Sequence, residues 1–235
     1  MSADSQAALS HAIAPVYILG IDGSGKSTVA EFVEQYYVDR GCQAETIWLR
    51  YNNLLSKPLL GLCRLLGLTQ YEQVDGHKIG YHHFYRSKLV SVLFVFFQYL
   101  DALRVRYQVL SPRLSKSGRA LILDRYVYDI LVDIMVDTHF WQLLENSTGD
   151  RFKQLLPEGT KVLLIRRPWE AILEVRPEGV RDRFFKSRFD QFERIAATGE
   201  VEVIDNNGTL DELLDKVQAV VADDKQFSST AQVTG

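Results

Sequence analysis

The 235-residue chain contains few cysteines, and no apolar run in it is long enough to cross a bilayer. Its two cysteines, Cys42 and Cys63, show no Cys-x-x-Cys spacing, so we expect reduced thiols and regard neither as a site candidate. The most apolar window, residues 89–100 (LVSVLFVFFQYL), is shorter than the roughly 20 residues that a membrane-spanning helix needs. The sequence therefore predicts no membrane span.

Strong net charge and a targeting signal are also missing. The net charge is -3, so bulk electrostatics gives no reason to expect nucleic-acid or membrane binding. Residues 1–14 lack the basic head and continuous apolar segment of an export signal, and we interpret them as a flexible leader of a cytoplasmic protein. With 46% apolar and 24% charged residues, the chain predicts one globular domain at 15–222, followed by a flexible tail at 223–235.

Short apolar runs alternate with stretches that have helical periodicity. The runs predicted to be strands are Val16–Leu19, Thr46–Leu49, Leu121–Leu123, Val162–Ile165 and Val201–Ile204. This alternation indicates an α/β fold, with a parallel sheet of about five strands flanked by helices. Helices are predicted at 58–66 and 86–110, although LVSVLFVFF has strand propensity and only its length favours a helix.

The segment GIDGSGKST, residues 20–28, has the spacing of a phosphate-binding P-loop. Glycines let successive backbone N–H groups face phosphate oxygens, while a lysine reaches the outer phosphates and a hydroxyl ligates Mg²⁺. A strand before it and an amphipathic helix after it are the context that such a loop requires, so we predict a three-layer P-loop NTPase fold. The residues predicted to bind ATP are Gly20, Gly23, Ser24, Gly25, Lys26, Ser27 and Thr28.

Three segments together resemble thymidylate kinases in the same chain order. They are GIDGSGKST, the triplet Asp124-Arg125-Tyr126, and the arginine-rich stretch RPEGVRDRF at 176–184. No Asn-Lys-x-Asp string occurs, which disfavours a GTPase switch. The resemblance implies transfer of a phosphoryl group from ATP to a small-molecule acceptor with Mg²⁺, and dTMP plus ATP giving dTDP plus ADP is the named reaction.

The resemblance also implies a lid, at about 168–188, that closes over ATP and excludes water. In that family, a P-loop without an arginine goes with catalytic arginines supplied by the lid. The arginines that this favours are Arg176, Arg181 and Arg183. Acidic neighbours offset much of the charge of this stretch, so a solvated charged helix is the alternative interpretation.

Carboxylates and cations near the loop have predicted roles. Asp124 ends a strand at the carboxyl edge of the sheet, where it can hold Mg²⁺ together with Ser27; a helix cap is the alternative. Arg125 would clamp a phosphate of the acceptor and act in catalysis with Lys26, unless it forms only a surface ion pair. Asp22, also predicted to act in catalysis, should point away from bound phosphates. The resemblance implies that it contacts the acceptor or metal-bound water; a plain turn residue is the alternative.

The resemblance weakens where thymidylate kinases bind their acceptor. Arg50 keeps the cation of the family's Arg-Glu-Pro-Gly motif without the Glu-Pro-Gly. Ile134 stands where the family has a thymine-reading glutamine, and a hydrocarbon cannot satisfy a pyrimidine edge. Arg104 lies near the position of another acceptor-binding arginine, although its spacing differs. We predict Arg50, Arg125 and Arg104 to be acceptor ligands.

Asp129, Asp133 and Asp137 recur every four residues and share one helix face. They form either a solvent-facing stripe or a binding row in which Asp129 and Asp133 contact hydroxyls or a cationic group of the acceptor. The second interpretation keeps a sugar or polyol kinase as an alternative function. A nucleotide-binding regulatory protein without transfer activity is a further alternative.

Two other features complete the sequence predictions. The histidines of GHKIGYHH, which are His77, His82 and His83, lack metal-ligand spacing and are interpreted as loop or surface residues. The apolar helices at 58–66 and 86–110 carry more hydrophobic surface than one sheet face covers, which predicts a homodimer.

Overall fold

The computed structural model of the chain describes residues 13–50, 53–74, 77–116 and 118–222. The predicted tail lies outside these residues, as does the predicted leader apart from its last two positions. Seven strands occur in the described chain: β1 (Val16–Leu19), β2 (Gln43–Trp48), β3 (Thr69–Val74), β4 (His77–His82), β5 (Arg119–Asp124), β6 (Lys161–Arg166) and β7 (Glu202–Asp205).

Five of the strands form one parallel sheet in the order β2-β5-β1-β6-β7. Each overlaps a run that the sequence predicts as a strand, so the predicted five-stranded α/β fold is confirmed. Because all five strands run the same way, their carboxyl ends meet at one edge. That edge carries the P-loop after β1, Asp124 at the end of β5, and Arg50 shortly after β2.

Helices cover both faces of the sheet. They are α1 (Lys26–Val38), α2 (Lys57–Leu65), α3 (Lys88–Arg104), α4 (Ser111–Leu114), α5 (Val127–Thr138), α6 (Ser147–Lys153), α7 (Trp169–Val175), α8 (Phe185–Ala197) and α9 (Leu210–Ala222). Side chains alternate along β1, so Val16 and Ile18 pack with α1 and α9, while Tyr17 and Leu19 pack with α3, α5 and α8. The sheet therefore lies between two apolar layers.

The predicted helix at 86–110 differs in the structure. An α-helix ends at Arg104, a π-helical segment follows at Val105–Leu110, and α4 continues beyond Pro112. The predicted end at residue 110, just before Pro112, was therefore wrong, because helical structure continues to Leu114. Pro112 lies at the first turn of α4, where its missing N–H leaves no hydrogen bond unmade.

The antiparallel hairpin of β3 and β4 was not predicted. Its sequence signal is the Asp-Gly pair at 75–76 between two runs of alternating character, a strong hairpin signature. Of the histidines assigned to a loop or the surface, His82 lies in β4 and donates to or accepts from Thr69 Oγ1 at 3.0 Å, while His83 is buried. The surface interpretation is wrong for this pair.

Apolar side chains remain exposed along α2 and α3. The most exposed include Leu62, Leu65, Leu89, Val92 and Phe96. The predicted homodimer would cover this surface, and it stays a prediction. No helix among the described residues is both long enough and apolar enough to cross a membrane.

Tyr17 joins the central strand to the start of α5. Its hydroxyl donates to Asp129 Oδ2 at 2.7 Å and accepts the backbone N–H groups of Tyr128 (3.1 Å) and Asp129 (3.2 Å). A helix start leaves such N–H groups without partners inside the helix, so a side-chain oxygen from the sheet replaces a capping residue. The fully buried ring of Tyr17 also stacks on Tyr128, with centroids 6.2 Å apart.

We predict that Tyr17→Phe lowers the free energy of unfolding by about 1–3 kcal/mol, because it leaves buried N–H groups and a buried carboxyl without this partner. Denaturant titration of both proteins measures the difference. Tyr107→Phe, on a largely exposed ring, is the matched control and should change stability little. Equal midpoints for wild type and Tyr17→Phe would show that the hydroxyl is not a stabilising link.

Candidate functional site

The P-loop lies between β1 and α1 at the carboxyl edge of the sheet. Gly20 and Gly25 have φ angles of 139° and 105°, which disfavour other residues. A side chain would not fit at either position: a Cβ on Gly20 would lie 2.6 Å from Ile165 O, and one on Gly25 would lie 2.8 Å from Asn206 Nδ2. The two glycines of the Walker spacing are therefore required by their own backbone conformation and by the close approach of Ile165 and Asn206.

Two neighbouring strand ends brace the loop. Asn206, directly after β7, donates from Nδ2 to Ser24 O at 2.8 Å. Arg167, directly after β6, donates from its guanidinium to Gly23 O at 3.3 Å. These two bonds hold the loop through its carbonyl oxygens and leave its N–H groups untouched, although the Ser24 N–H donates within the loop to Ile21 O at 3.1 Å.

Lys26 is buried and folds back across the loop. Its Nζ donates to Ile21 O at 2.7 Å and lies 3.6 Å from Asp22 Oδ1. Burial, and then the nearby Arg125 guanidinium, lower the pKa of Lys26 to about 8, so the ammonium remains mostly charged at neutral pH. An ammonium in this position is close to where the outer phosphates of a nucleotide would lie.

Asp22 makes ion pairs with three cations. Its carboxylate pairs with Lys26, with Arg125 and, at 3.8 Å, with Arg50. Burial acts to raise its pKa, but these cations outweigh burial and hold the pKa well below the ordinary value of 3.8. Asp22 thus draws both arginines to the loop, and whether it also contacts an acceptor stays a prediction.

Asp124 has the position and chemistry expected of a metal ligand. The register pairs it with Ile18 of β1 and Trp48 of β2, so it lies at the strand ends beside the P-loop. Its Oδ1 is buried and has no hydrogen-bond partner among the described residues. Burial raises its pKa, opposed by Arg125 and Lys26. A cation would satisfy this oxygen.

These residues fit Mg²⁺. The described chain has no group of three or more His, Cys, Asp or Glu side chains that could hold a metal ion. Mg²⁺ does not need one, because it usually takes one or two protein ligands and completes its shell with water and phosphate oxygens. Asp124 and the exposed hydroxyl-bearing Ser27 would supply that share.

Arg125 has a backbone conformation that is unusual for its residue type. Its φ angle is 62°, in the left-handed region that glycine favours. The turn after β5 therefore stores a cost of about 1–2 kcal/mol and aims Arg125 away from the strand direction. The guanidinium reaches Asp22 and lines two adjoining cavities.

The two cavities have volumes of about 290 and 220 Å³. The first, called the outer cavity, is lined by Gly20, Asp22, Arg176 and Phe192, among others. The second, called the inner cavity, is lined by Leu60, His82, Phe94, Gln98 and Asp137, among others. The cavities share Arg50, Gly80, Arg125, Asp129, Asp133 and Arg188, so they adjoin along α5.

The row of aspartates on α5 faces these cavities. Asp129 and Asp137 are buried, with 5% and 3% of their surface exposed, so a solvent-facing stripe is wrong. Arg50 and Arg188 approach Asp133 at 3.6 and 3.0 Å. Burial alone would raise the pKa of Asp133, but these two guanidinium groups lower it below its ordinary value. Opposite charges and Tyr17 thus compensate a row that would repel itself in an isolated helix.

Arg188 belongs to the site and was missed as a site residue. It is on α8, where Phe185, Phe192 and Ile195 form the buried face. A cation three residues after Phe185 and four before Phe192 lies on that apolar face, which is the signal that could have identified it. Its guanidinium pairs with Asp133 and approaches Asp182 at 3.9 Å, and both carboxylates help to raise its pKa despite burial.

The three predicted lid arginines are not equivalent. Arg176 lines the outer cavity, and its Cγ would touch a Cβ placed on Gly23 at 3.0 Å. Arg183 instead pairs with Glu72 of β3 at 2.9 Å and lies over the Tyr81 ring. Arg181 is exposed and lines neither cavity. The structure brings only Arg176 of the three to the P-loop.

Arg104 also lines neither cavity, so the structure does not bring this predicted acceptor ligand to the site. Asp101, one turn earlier on α3, lies at the inner cavity instead. It accepts the N–H groups of Leu54, Leu55 and Ser56 at 2.8–3.0 Å, and the Ser56 hydroxyl at 2.6 Å. Asp101 therefore holds the chain that leads from Arg50 into α2.

Comparison with known proteins agrees with this architecture. The structure is similar to that of thymidylate kinase from Ehrlichia chaffeensis, with a TM-score of 0.52 over 89% of this chain and 98% of that one. This chain has the P-loop kinase fold. The two sequences are only 16% identical, so the likeness establishes the fold alone. No family profile and no curated protein matches the sequence.

We predict that Asp22→Asn lowers the free energy of unfolding at pH 7 by about 1 kcal/mol, a small value because a third of the side chain is exposed and water screens its ion pairs. Since the folded protein lowers the pKa of Asp22, its stabilisation is complete above the ordinary value of 3.8 and is lost as the pH falls below it. Denaturant titrations between pH 7 and pH 3 measure the difference.

The exposed Asp215→Asn serves as the control for this pH series. Its difference from wild type should be small throughout. A difference for Asp22→Asn that stays constant down to pH 3 would contradict the lowered pKa.

Proposed function

We propose that the protein transfers a phosphoryl group from ATP to a small acceptor with the help of Mg²⁺. One observation carries the proposal: a P-loop with a buried lysine and a buried carboxylate oxygen of Asp124, which has no partner among the described residues, adjoin a cavity lined by four arginines. Phosphoryl transfer needs the nucleotide held, its charge neutralised and the acceptor aligned, and little covalent help from the protein.

The residues divide these tasks by position. The N–H groups of the P-loop and Lys26 bind and neutralise the polyphosphate of ATP, while Ser27 and Asp124 hold Mg²⁺, which when bound draws charge from the transferring phosphate. Arg125 and Arg50 lie on the acceptor side of Asp22 and would hold an anionic group of the acceptor. Arg176 would supply positive charge to the transferring oxygens.

The acceptor that we propose first is dTMP, giving dTDP and ADP. The structural likeness to a thymidylate kinase and the three matching segments support this choice. A sugar or polyol acceptor is the second candidate, because carboxyl groups and the hydrocarbon of Ile134 line the inner cavity where an amide would read thymine. Formation of ADP with dTMP, with other nucleoside monophosphates and with simple sugars distinguishes the two.

We predict that Lys26→Ala weakens Mg-ATP binding by at least about 30-fold and abolishes phosphoryl transfer, because it removes the ammonium at the outer phosphates.

Asp124→Asn should keep measurable ATP binding and lose at least about 100-fold in the rate of transfer at limiting Mg²⁺, since an amide is a weaker Mg²⁺ ligand than a carboxylate. Calorimetry measures binding, and chromatographic detection of ADP measures transfer.

Lys116→Ala and Asp215→Asn, at exposed positions, are the matched controls and should behave as wild type. Absence of Mg-ATP binding by the wild-type protein would overturn the proposed function. Binding of Mg-ATP without any phosphorylated product from the whole panel would favour the regulatory alternative.

We predict that Arg176→Ala lowers the rate constant of transfer by about 100-fold, whereas Arg183→Ala lowers it by less than about fivefold. The reason is position: Arg176 faces the P-loop, and Arg183 is held by Glu72 on the hairpin. Single-turnover kinetics at saturating ATP measures both. Arg113→Ala, whose side chain pairs with Glu45 away from the cavities, is the control. A larger loss in Arg183→Ala would contradict the assignment.

A further inference from the structure

The inner cavity ends at a carboxyl group that the proposed chemistry does not use. Asp137, on the last turn of α5, has only 3% of its surface exposed and lines this cavity. Its Oδ1 has no hydrogen-bond partner among the described residues. A buried carboxyl oxygen without a partner is costly, which points to a partner supplied by a ligand.

The other carboxyl groups of the inner cavity are already occupied. Asp101 accepts three backbone N–H groups and a hydroxyl. Asp129 accepts from Tyr17, and Asp133 pairs with Arg50 and Arg188. Within the described chain, Asp137 is therefore the lining carboxyl with an oxygen left to bind an acceptor.

The position of Asp137 suits the far end of an acceptor. Asp129, near Lys26 and Arg125, is eight residues earlier on the same helix, so the two lie about 12 Å apart along the helix axis. An acceptor with its phosphate at Arg125, beside Asp129, and its other end at Asp137 extends over about this length. A phosphate, a pentose and a ring in sequence do so, whereas a single monosaccharide is shorter.

The walls between these ends favour a flat ring. Leu60, Phe94, Val105, Ile130 and Ile134 all line the inner cavity. A polyol would leave hydroxyl groups without partners against these side chains, and burying such groups is unfavourable. A planar heterocycle places its faces against hydrocarbon and its polar atoms along one edge.

We propose that Asp137 is a specificity residue that pairs with the ring edge of a nucleoside monophosphate, where a donor and an acceptor stand side by side. A neutral carboxyl offers both an O–H donor and a C=O acceptor, as the amide of a glutamine does. Asp137 would thus replace the glutamine that is missing at Ile134, three residues earlier on α5. The inference rests on the proposed function for the orientation of the acceptor in the cavity.

The electrostatic surroundings agree with a neutral carboxyl. Burial raises the pKa of Asp137 well above its ordinary value, Arg188 and Arg50 oppose this, and Asp133 adds to it. On the opposite wall, burial lowers the pKa of His82 to about 4, so its imidazole is neutral as well. Both groups can therefore contribute hydrogen bonds without net charge.

Calorimetric binding of dTMP, dCMP and glucose 6-phosphate to the full chain, without ATP, tests the proposal. Wild type should bind a nucleoside monophosphate more tightly than the sugar phosphate. Asp137→Asn keeps a donor and an acceptor and should stay within about threefold of wild type. Asp137→Leu should bind at least about 30-fold more weakly. Asp215→Asn and Asp215→Leu, at an exposed position of α9, are the matched controls.

Three results would overturn the inference. The first is binding of glucose 6-phosphate but of no nucleoside monophosphate. The second is an affinity of Asp137→Leu for the nucleoside monophosphate equal to that of wild type. The third is an equal loss of affinity in Asp137→Asn and Asp137→Leu, which would show that the site requires a negative charge. The thermal midpoint of Asp137→Leu should be at or above that of wild type, because this variant removes a costly buried oxygen, and that of Asp137→Asn should stay near wild type. Asp137→Ser replaces Asp137→Leu if the latter does not fold.

The binding measurements, combined with the ADP-formation assay of the proposed function, separate this inference from that function. Nucleotide binding that depends on Asp137, without any phosphoryl transfer, would overturn the function and support the inference. Mg-ATP-dependent transfer to a sugar, with no nucleoside monophosphate bound, would support the proposed function and overturn the inference.

Discussion

Compensation of charge at the carboxyl edge of the sheet is the constraint on which the site depends. Asp22 and Asp133 each take two or more cations from elements far apart in the chain: the P-loop, the segment after β2, the turn after β5, and α8. Removing one cation would leave each carboxylate with fewer opposite charges to offset the cost of its partial burial. Such pairs add little net stability compared with apolar packing, but they fix which side chains meet. The positions of the charged residues that line the cavities therefore follow from the ion pairs of Asp22 and Asp133.

Most of the architecture could be predicted from the sequence, because parallel strands buried on both faces appear as short apolar runs separated by helical periodicity. The same pattern identified the P-loop, which follows the first apolar run, and Asp124, which directly follows the apolar run of β5. The hairpin of β3 and β4 was missed because its strands are half-polar, and TQYEQV has no continuous apolar run. The Asp-Gly pair between the strands was the stronger signal.

The inner cavity was harder to predict, because its charged residues are brought together by ion pairs between positions far apart in the sequence. Helical spacing alone could place three aspartates on one face, but it could not show that the face lies against Arg50 and Arg188, 83 and 55 residues away from Asp133 by sequence numbering. A row of like charges normally faces water. Here the row is turned to the interior, because Arg50 and Arg188 offset its charge. Similarly, the sequence could not distinguish the lid arginines, because the place of Arg176 beside the P-loop and the contact of Arg183 with the hairpin are both tertiary.

The hydroxyl of Tyr17 has a mechanical consequence. β1 runs directly into the P-loop, and the same strand is tied through this hydroxyl to the first turn of α5, which carries the aspartate row. The two halves of the cleft therefore share one rigid support and keep a fixed separation. On the opposite wall, the segment between α7 and α8 meets the hairpin through the ion pair of Arg183 and Glu72. The wall formed by β1 and α5 is therefore the fixed side of the cleft.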